Sequence, residues 1–179
     1  MTRYVAFLRA VNVGGRRVTM DALRAEFEGL GFDEVTTYIA SGNVLFGTSG
    51  RRPGDLEATI ESRLAGALGF EVATFVRTAA QVRKVVELDP FPDRDAAHTY
   101  LVAFLKRKPA AAARRAIGAL SGDVDTLRVD GAELHWLIRG KSMDSRIKPR
   151  AMEQAAGGGG PATSRNITML RKLAAKLDP

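Results

Sequence analysis

Val35-Thr36-Thr37-Tyr38-Ile39-Ala40-Ser41-Gly42-Asn43-Val44-Leu45-Phe46 is the stretch on which the fold turns. β-Formers flank the Ser41-Gly42 pair, and glycine tolerates the positive φ that a tight hairpin needs. The stretch therefore predicts two strands, residues 35–40 and 43–46, joined by a turn. Upstream, residues 4–13 are rich in β-formers and read as a buried first strand. Gly14-Gly15 breaks it, Arg16-Arg17 follow, and Thr19 is placed to cap a helix with Asp21 in its first turn. Met20, Leu23, Phe27 and Leu30 recur at helical spacing, and Gly31 closes the run. Downstream, Pro53 opens a second helix whose buried face is Leu56, Ile60, Leu64 and Leu68. Residues 72–77 read as a fourth strand and residues 79–87 as a short helix. The order β-α-β-β-α-β is the ferredoxin-like one.

A connector with two prolines, residues 89–95, precedes a second round. Residues 99–105 predict a strand and residues 109–120 an Ala-rich helix with proline at its start. Residues 124–129 and 133–138 predict strands around the Asp130-Gly131 turn. After them come a basic segment (140–150), a short helix (151–156), a glycine break (157–160) closed by Pro161, and a last helix from Asn166 to Leu177. The expected fold is α+β: two ferredoxin-like halves packed into one body, residues 1–90 and 96–179, with a C-terminal helix.

No apolar run approaches the roughly 20 residues of a membrane helix, so no membrane partner is expected. Residues 1–13 read as a strand rather than a signal peptide, because Arg9 interrupts them and no small-residue cleavage site follows. The chain has no cysteine, which excludes disulfide and thiol chemistry and fits a cytoplasmic protein. The net charge is +7, unevenly spread: residues 1–95 hold 12 Lys/Arg against 13 Asp/Glu, residues 96–179 hold 15 against 7. The basic excess of the second part attracts anions, nucleic acid included; a merely solvated surface is the alternative.

Several segments carry a resemblance. They are the Arg9-x-x-Asn12-Val13-Gly14-Gly15 element, the Thr37-Tyr38-x-x-Ser41-Gly42-Asn43-Val44-x-Phe46 element, and Thr163-x-Arg165-Asn166 near the C-terminus. In this order and spacing they resemble the bacterial family called domain of unknown function 1697. The family's usual glycine is Ala10 here, its tryptophan is Ile167 and a threonine is Met169. No role of an aromatic ring or hydroxyl at that helix is therefore carried over. The resemblance implies a two-part α+β fold with ferredoxin-like halves, and no reaction.

The candidate ligand-binding residues are Arg9, Asn12, Gly14, Gly15, Ser41, Gly42, Asn43, Arg165 and Asn166. The first four run from a strand end into a helix N-terminus, where bare amides and the helix dipole favour an anion. Turn formation and a structural ion pair of Arg9 are the alternative. No P-loop ending follows the glycines, nor a dinucleotide fingerprint. Ser41 and Asn43 suit ligand contact at a loop tip, or ordinary hairpin hydrogen bonds; no base stands ready to make Ser41 a nucleophile. Arg165 and Asn166 are read as opening the last helix, where an arginine needs an acidic partner or an anionic ligand to offset the dipole.

Arg139, Lys141, Arg146, Lys148 and Arg150 form a basic run, read as a solvated loop or a phosphate-binding one. His98 and His135 lack a second ligand at helical spacing, so no metal or other cofactor is expected. His135 reads as a half-exposed strand residue, and Asp123 and Asp125 as exposed hairpin flanks. An RNA-recognition sheet is a poor match, since the Asn43 strand lacks the aromatic run. The function expected is binding of an anionic partner, small molecule or nucleic acid. An enzyme on a small anionic substrate and a protein-interaction module are the alternatives.

Overall fold

The computed structural model describes residues 1–15, 17–39, 42–157 and 162–177. Its strands form two four-stranded sheets in which every neighbouring pair is antiparallel. The chain divides into two compact units, Met1–Lys84 with Lys172–Pro179, and Val85–Arg171. Among the described residues no helix is long and apolar enough to cross a membrane.

The first unit runs β1 (Thr2–Leu8), α1 (Met20–Glu28), β2 (Asp33–Thr37), β3 (Asn43–Thr48), α2 (Pro53–Leu68), β4 (Thr74–Thr78) and the start of α3 (Ala79–Glu87), in the sheet order β2-β3-β1-β4. Thr19 caps α1 as expected, its hydroxyl accepting the Ala22 N–H at 3.1 Å. The helix stops at Glu28, short of Gly31, which adopts φ 76°. No side chain caps α2, although Pro53 sits in its first turn. What holds α2 is packing: Leu56, Ile60 and Leu64 are fully buried against Tyr4, Ala6, Phe46 and Val76 of the sheet. Each such side chain is worth about 1.5–3 kcal/mol, against roughly 1 kcal/mol for a missing cap.

β1 ends at Leu8, five residues before the expected end, because Ala10 turns left-handed at φ 56°. The β2 strand carries a bulge: register slips between Asp33 and Thr36, around Glu34 at φ 49°.

The second unit repeats the plan. The end of α3 leads to β5 (His98–Phe104), α4 (Ala111–Gly118), β6 (Asp125–Asp130), β7 (Glu133–Arg139), a 3-10 turn (Ser142–Asp144), α5 (Pro149–Ala155), β8 (Thr163–Asn166) and the start of α6 (Ile167–Ala174). The sheet order is β6-β7-β5-β8. Ala103, Leu127 and Leu134 pack against Ile117 of α4 and Met152 of α5. β8 is an addition to the sequence reading. The expected β-α-β-β round is in fact a full β-α-β-β-α-β round, with its fourth strand where the last helix was expected to open. The glycine break predicted at 157–160 and Pro161 fall outside the described residues, apart from Gly157.

Candidate functional site

At one end of the first sheet, β1 hands over to a loop that runs into α1. The Arg9 N–H donates to the Ala73 carbonyl at 2.9 Å, and the Arg9 side chain is half-buried. Val11 turns back into the core at 3% exposure. The Asn12 Oδ1 accepts the Val18 N–H at 2.7 Å and so closes the loop over Gly14 and Gly15. Those glycines are exposed, with φ of 63° and 85°. A Cβ on either would meet nothing within 4 Å, so backbone conformation rather than space selects glycine there.

The hairpin between β2 and β3 stands beside this loop, and the Leu8 N–H donates to the Gly42 carbonyl at 2.8 Å. Here space does matter: a Cβ on Gly42 would lie 3.1 Å from Leu8 Cβ and 3.2 Å from Val11 Cγ2, at φ 75°. Asn43 is fully buried opposite Phe7 and donates from Nδ2 to the Tyr38 carbonyl at 2.9 Å. The Tyr38 N–H returns a bond to the Asn43 carbonyl at 2.9 Å. Between them Ile39, 52% exposed, is held at φ 49°. Ser41, Ala40 and Arg16 lie outside the described residues.

Six of the predicted residues, Arg9, Asn12, Gly14, Gly15, Gly42 and Asn43, thus stand together at one end of the first unit's sheet. Two residues that the sequence reading missed join them: the Lys176 ammonium lies 5.6 Å over the Tyr38 ring. No local signal in the chain marks that pairing. Lys176 comes from the C-terminal segment that belongs to the first unit.

Arg165 and Asn166 belong to the second unit. They lie in β8 and do not open α6, so the expected conflict with a helix dipole does not arise. Arg165 is 8% exposed and donates from Nη1 to Thr163 Oγ1 at 2.8 Å and to the Ser164 carbonyl at 2.9 Å. Burial pulls its pKa down to about 10, so it remains charged at neutral pH. Asn166 is exposed, and its Oδ1 accepts the Thr168 N–H at 2.8 Å, capping the helix that follows.

Two further sequence expectations change in the second unit. Asp125 is 2% exposed, not solvated: its carboxylate accepts Trp136 Nε1–H at 2.8 Å, Ser145 Oγ–H at 2.7 Å and the Arg146 N–H at 2.8 Å. That carboxylate, with Asp144 accepting the Lys141 N–H, anchors the backbone of the basic run. His135 is 1% exposed, not half-exposed, and its Nδ1 lies 2.6 Å from the Tyr100 hydroxyl. Burial raises the Tyr100 pKa to about 12 and pushes that of His135 down. The phenol therefore keeps its proton, and whether it donates to Nδ1 or accepts from it follows the tautomer set at Nε2. That Nε2 is buried without a hydrogen-bond partner among the described residues. Beside the pair, Arg94 stacks over the Tyr100 ring and pairs with Asp89, whose carboxyl it holds below the usual range against the raising effect of burial.

The family model described as protein of unknown function DUF1697 matches residues 1–135, and the chain belongs to that family. Among solved structures it is similar to the conserved bacterial protein SP0830 of Streptococcus pneumoniae, at 21% sequence identity and a TM-score of 0.76. That likeness covers 100% of this chain and 99% of the other, and it shows the fold alone. No curated protein matches the chain.

Proposed function

We propose that this member of a family without an assigned reaction binds an anionic ligand, such as a nucleotide or phosphorylated metabolite, at the loop end of its first sheet. The observation that supports the reading is strain. Ala10 and Ile39 are non-glycine residues held at positive φ, in two loops joined by the Leu8 N–H to Gly42 bond. Left-handed backbone costs an L-residue about 1–2 kcal/mol, and for β-branched Ile39 it is a genuine outlier. Such strain concentrates where a loop is shaped for a ligand. The chemistry on offer suits an anion: the Arg9 guanidinium, the exposed amides around Gly14 and Gly15, the N-terminus of α1 and the Lys176 ammonium. In the same reading each unit is ferredoxin-like, which the repeated connection order supports, and the absence of cysteine supports a cytoplasmic protein.

The test is a titration of isotope-labelled protein with inorganic phosphate and then adenosine monophosphate, followed by amide shifts. Saturable shifts at Gly14, Gly15 and Gly42 are expected, with affinity at least about tenfold weaker in Arg9→Ala, the loss of one charge-assisted contact. Shifts that are absent at millimolar ligand, or that persist unchanged in Arg9→Ala, would remove this reading.

A further inference from the structure

Part of the basic excess of the second part of the chain lines two concavities around one helix of the second unit. Ala111, Arg114, Arg115 and Gly118 follow one another at i, i+3, i+4 and i+7 along α4, and with Leu127 and Arg128 of β6 they line an open groove of about 440 Å³. The opposite side of α4 is the buried one, through Ile117. At the start of α4, Arg107 and Lys108 line a second hollow of about 160 Å³ together with Pro109 and Ala113. Among the described residues, no carboxylate lines either concavity. Among the described residues, the side chains of Arg107, Lys108, Arg114 and Arg115 make no hydrogen bond or ion pair, and that of Arg128 bonds only the Leu127 carbonyl, at 3.4 Å. Of the acids near in sequence, Asp125 is turned inward on Trp136 and Ser145, Asp123 is exposed in the loop after α4, and Asp130 follows Arg128 by two residues at the end of β6. The five side chains, Arg107 and Lys108 before α4, Arg114 and Arg115 on it and Arg128 on β6, repel one another unless an anion stands before them.

We propose that this α4–β6 face docks on double-helical DNA through its phosphates. The proposal does not rest on the anion site of the first unit. A single small anion meets only a part of the array, whereas a duplex presents one charge per roughly 1.7 Å of axis. The eight residues of α4 extend about 12 Å at 1.5 Å each, a length along which a duplex carries about seven charges. Among the described residues no aromatic side chain lines the groove, so the stacking platform that single strands use is missing there. Small side chains let the helix approach closely: Ala111, Ala112, Ala116 and Gly118 are all exposed on α4. The major groove of B-form DNA, about 12 Å wide, admits such a helix, while that of duplex RNA does not. With phosphates as the contacts, binding is insensitive to sequence and sits near 10⁻⁴–10⁻⁶ M at physiological salt, as is typical of such binding.

The experiment is fluorescence anisotropy of the full chain with a labelled duplex of mixed sequence, over a series of salt concentrations. Neutralising five phosphates gives a log–log slope of about −4 to −5, which is roughly a 500-fold loss between 50 and 200 mM salt. Arg114→Glu with Arg115→Glu should shrink the slope by about two. Arg51→Glu with Lys172→Glu changes net charge equally at exposed positions of the first unit and should shift the slope little. Arg114→Gln with Arg115→Gln serves as the milder pair, and circular dichroism checks that each variant is folded. A flat salt response overturns the proposal. So does equal weakening by the two Glu pairs, or tighter binding of single-stranded DNA or duplex RNA of the same length. Arg9 takes no part in this assay, so its outcome and that of the phosphate titration are separate.

Discussion

The edge of the first sheet supplies a test of how the fold is held. β4 is an edge strand, and its outward-facing N–H groups do not reach solvent. Thr74 N–H is accepted by Glu61 Oε1 at 2.8 Å, Val76 N–H by Glu57 Oε1 at 2.9 Å, and Thr78 N–H by Gln81 Oε1 at 2.9 Å. Glu57 and Glu61 stand one turn apart on α2, so a single helix face covers the strand. Glu57 Oε1 also lies 3.7 Å from Arg77 Nη1, with both side chains under 10% exposed. Glu57→Ala leaves the Val76 N–H buried without its acceptor, at about 1–3 kcal/mol. It also breaks a buried ion pair, and the two effects together fall in the range of about 3–5 kcal/mol seen when one partner of such a pair is removed. Glu57→Gln keeps an oxygen for Val76 but loses the charge, the difference between a charged and a neutral hydrogen bond, about 1–2 kcal/mol. Urea unfolding gives the totals, and native-state hydrogen exchange reads the Val76 amide itself. In Glu57→Ala that amide should exchange faster than its neighbours in β4, and Glu57→Ala with Glu61→Ala should associate as concentration rises, since an unsheathed edge recruits another. If Glu57→Ala costs under roughly 0.5 kcal/mol, the range of an ordinary surface change, or Glu57→Gln costs as much as Glu57→Ala, the sheathing argument is wrong.

Three other outcomes follow from the same geometry. Ala10→Gly should stabilise the protein by up to about 1 kcal/mol, the left-handed penalty of about 1–2 kcal/mol less the entropy glycine adds to the unfolded chain; a loss in urea unfolding would contradict the φ of 56° at Ala10. Gly42→Ala should cost about 1–3 kcal/mol, because strain at φ 75° adds to close contacts with Leu8 and Val11, and an unchanged melting temperature would refute that packing. His135 is kept neutral by burial, its folded pKa below the ordinary value of 6.5, so the unfolded chain binds the extra proton. Stability should be level above about pH 6.5 and fall below it until the folded pKa is reached, by at most about 1.4 kcal/mol per pH unit. His135→Gln should lose that slope in urea unfolding between pH 7 and 5.5; parallel curves for the two proteins would show that His135 does not titrate differently on folding.

What could be read from the chain was what local spacing controls. Leu56, Ile60 and Leu64 mark α2 through their four-residue step, and the Asp130-Gly131 turn is confirmed by Gly131 at φ 60°. The loops at the candidate site were placed correctly relative to their strands, but the strand ends were not. Residues 9–13 look apolar enough to continue β1, and nothing in their composition announces that Ala10 turns left-handed. Ile39 shortens β2 in the same way. β8 was missed because its four residues alternate in burial while its buried members, Thr163 and Arg165, are polar. Polarity is the signal by which alternation is normally read, so the strand looked like a helix cap. Asp125 and His135 were misjudged for a related reason. Their partners, Trp136 and Ser145 for one and Tyr100 for the other, are supplied across the sheet or from another segment. Burial of a polar side chain is settled by partners that spacing does not reveal.

The recovered β8 changes what the two units share. Arg77 lies opposite Val5 in the first sheet, and Arg165 lies opposite Val102 in the second. Each arginine is the next-to-last residue of an edge strand that leads directly into a helix. Each is buried, and each donates from Nη1 to the carbonyl of the residue before it at 2.9 Å. The flanking residues differ, Val76 and Thr78 against Ser164 and Asn166, so the repeat is one of register and not of sequence. In Arg165 the single Nη1 serves both the Ser164 carbonyl and the Thr163 hydroxyl. On sequence alone Arg165 is a ligand-binding candidate because Asn166 next to it reads as the start of a helix, where an arginine is uncompensated. Its counterpart Arg77, in a segment with no such motif, has the same geometry beside Glu57. A position filled twice by one residue type with one hydrogen-bond pattern is explained by what the strand-to-helix junction demands, which gives Arg165 a structural role that needs no ligand.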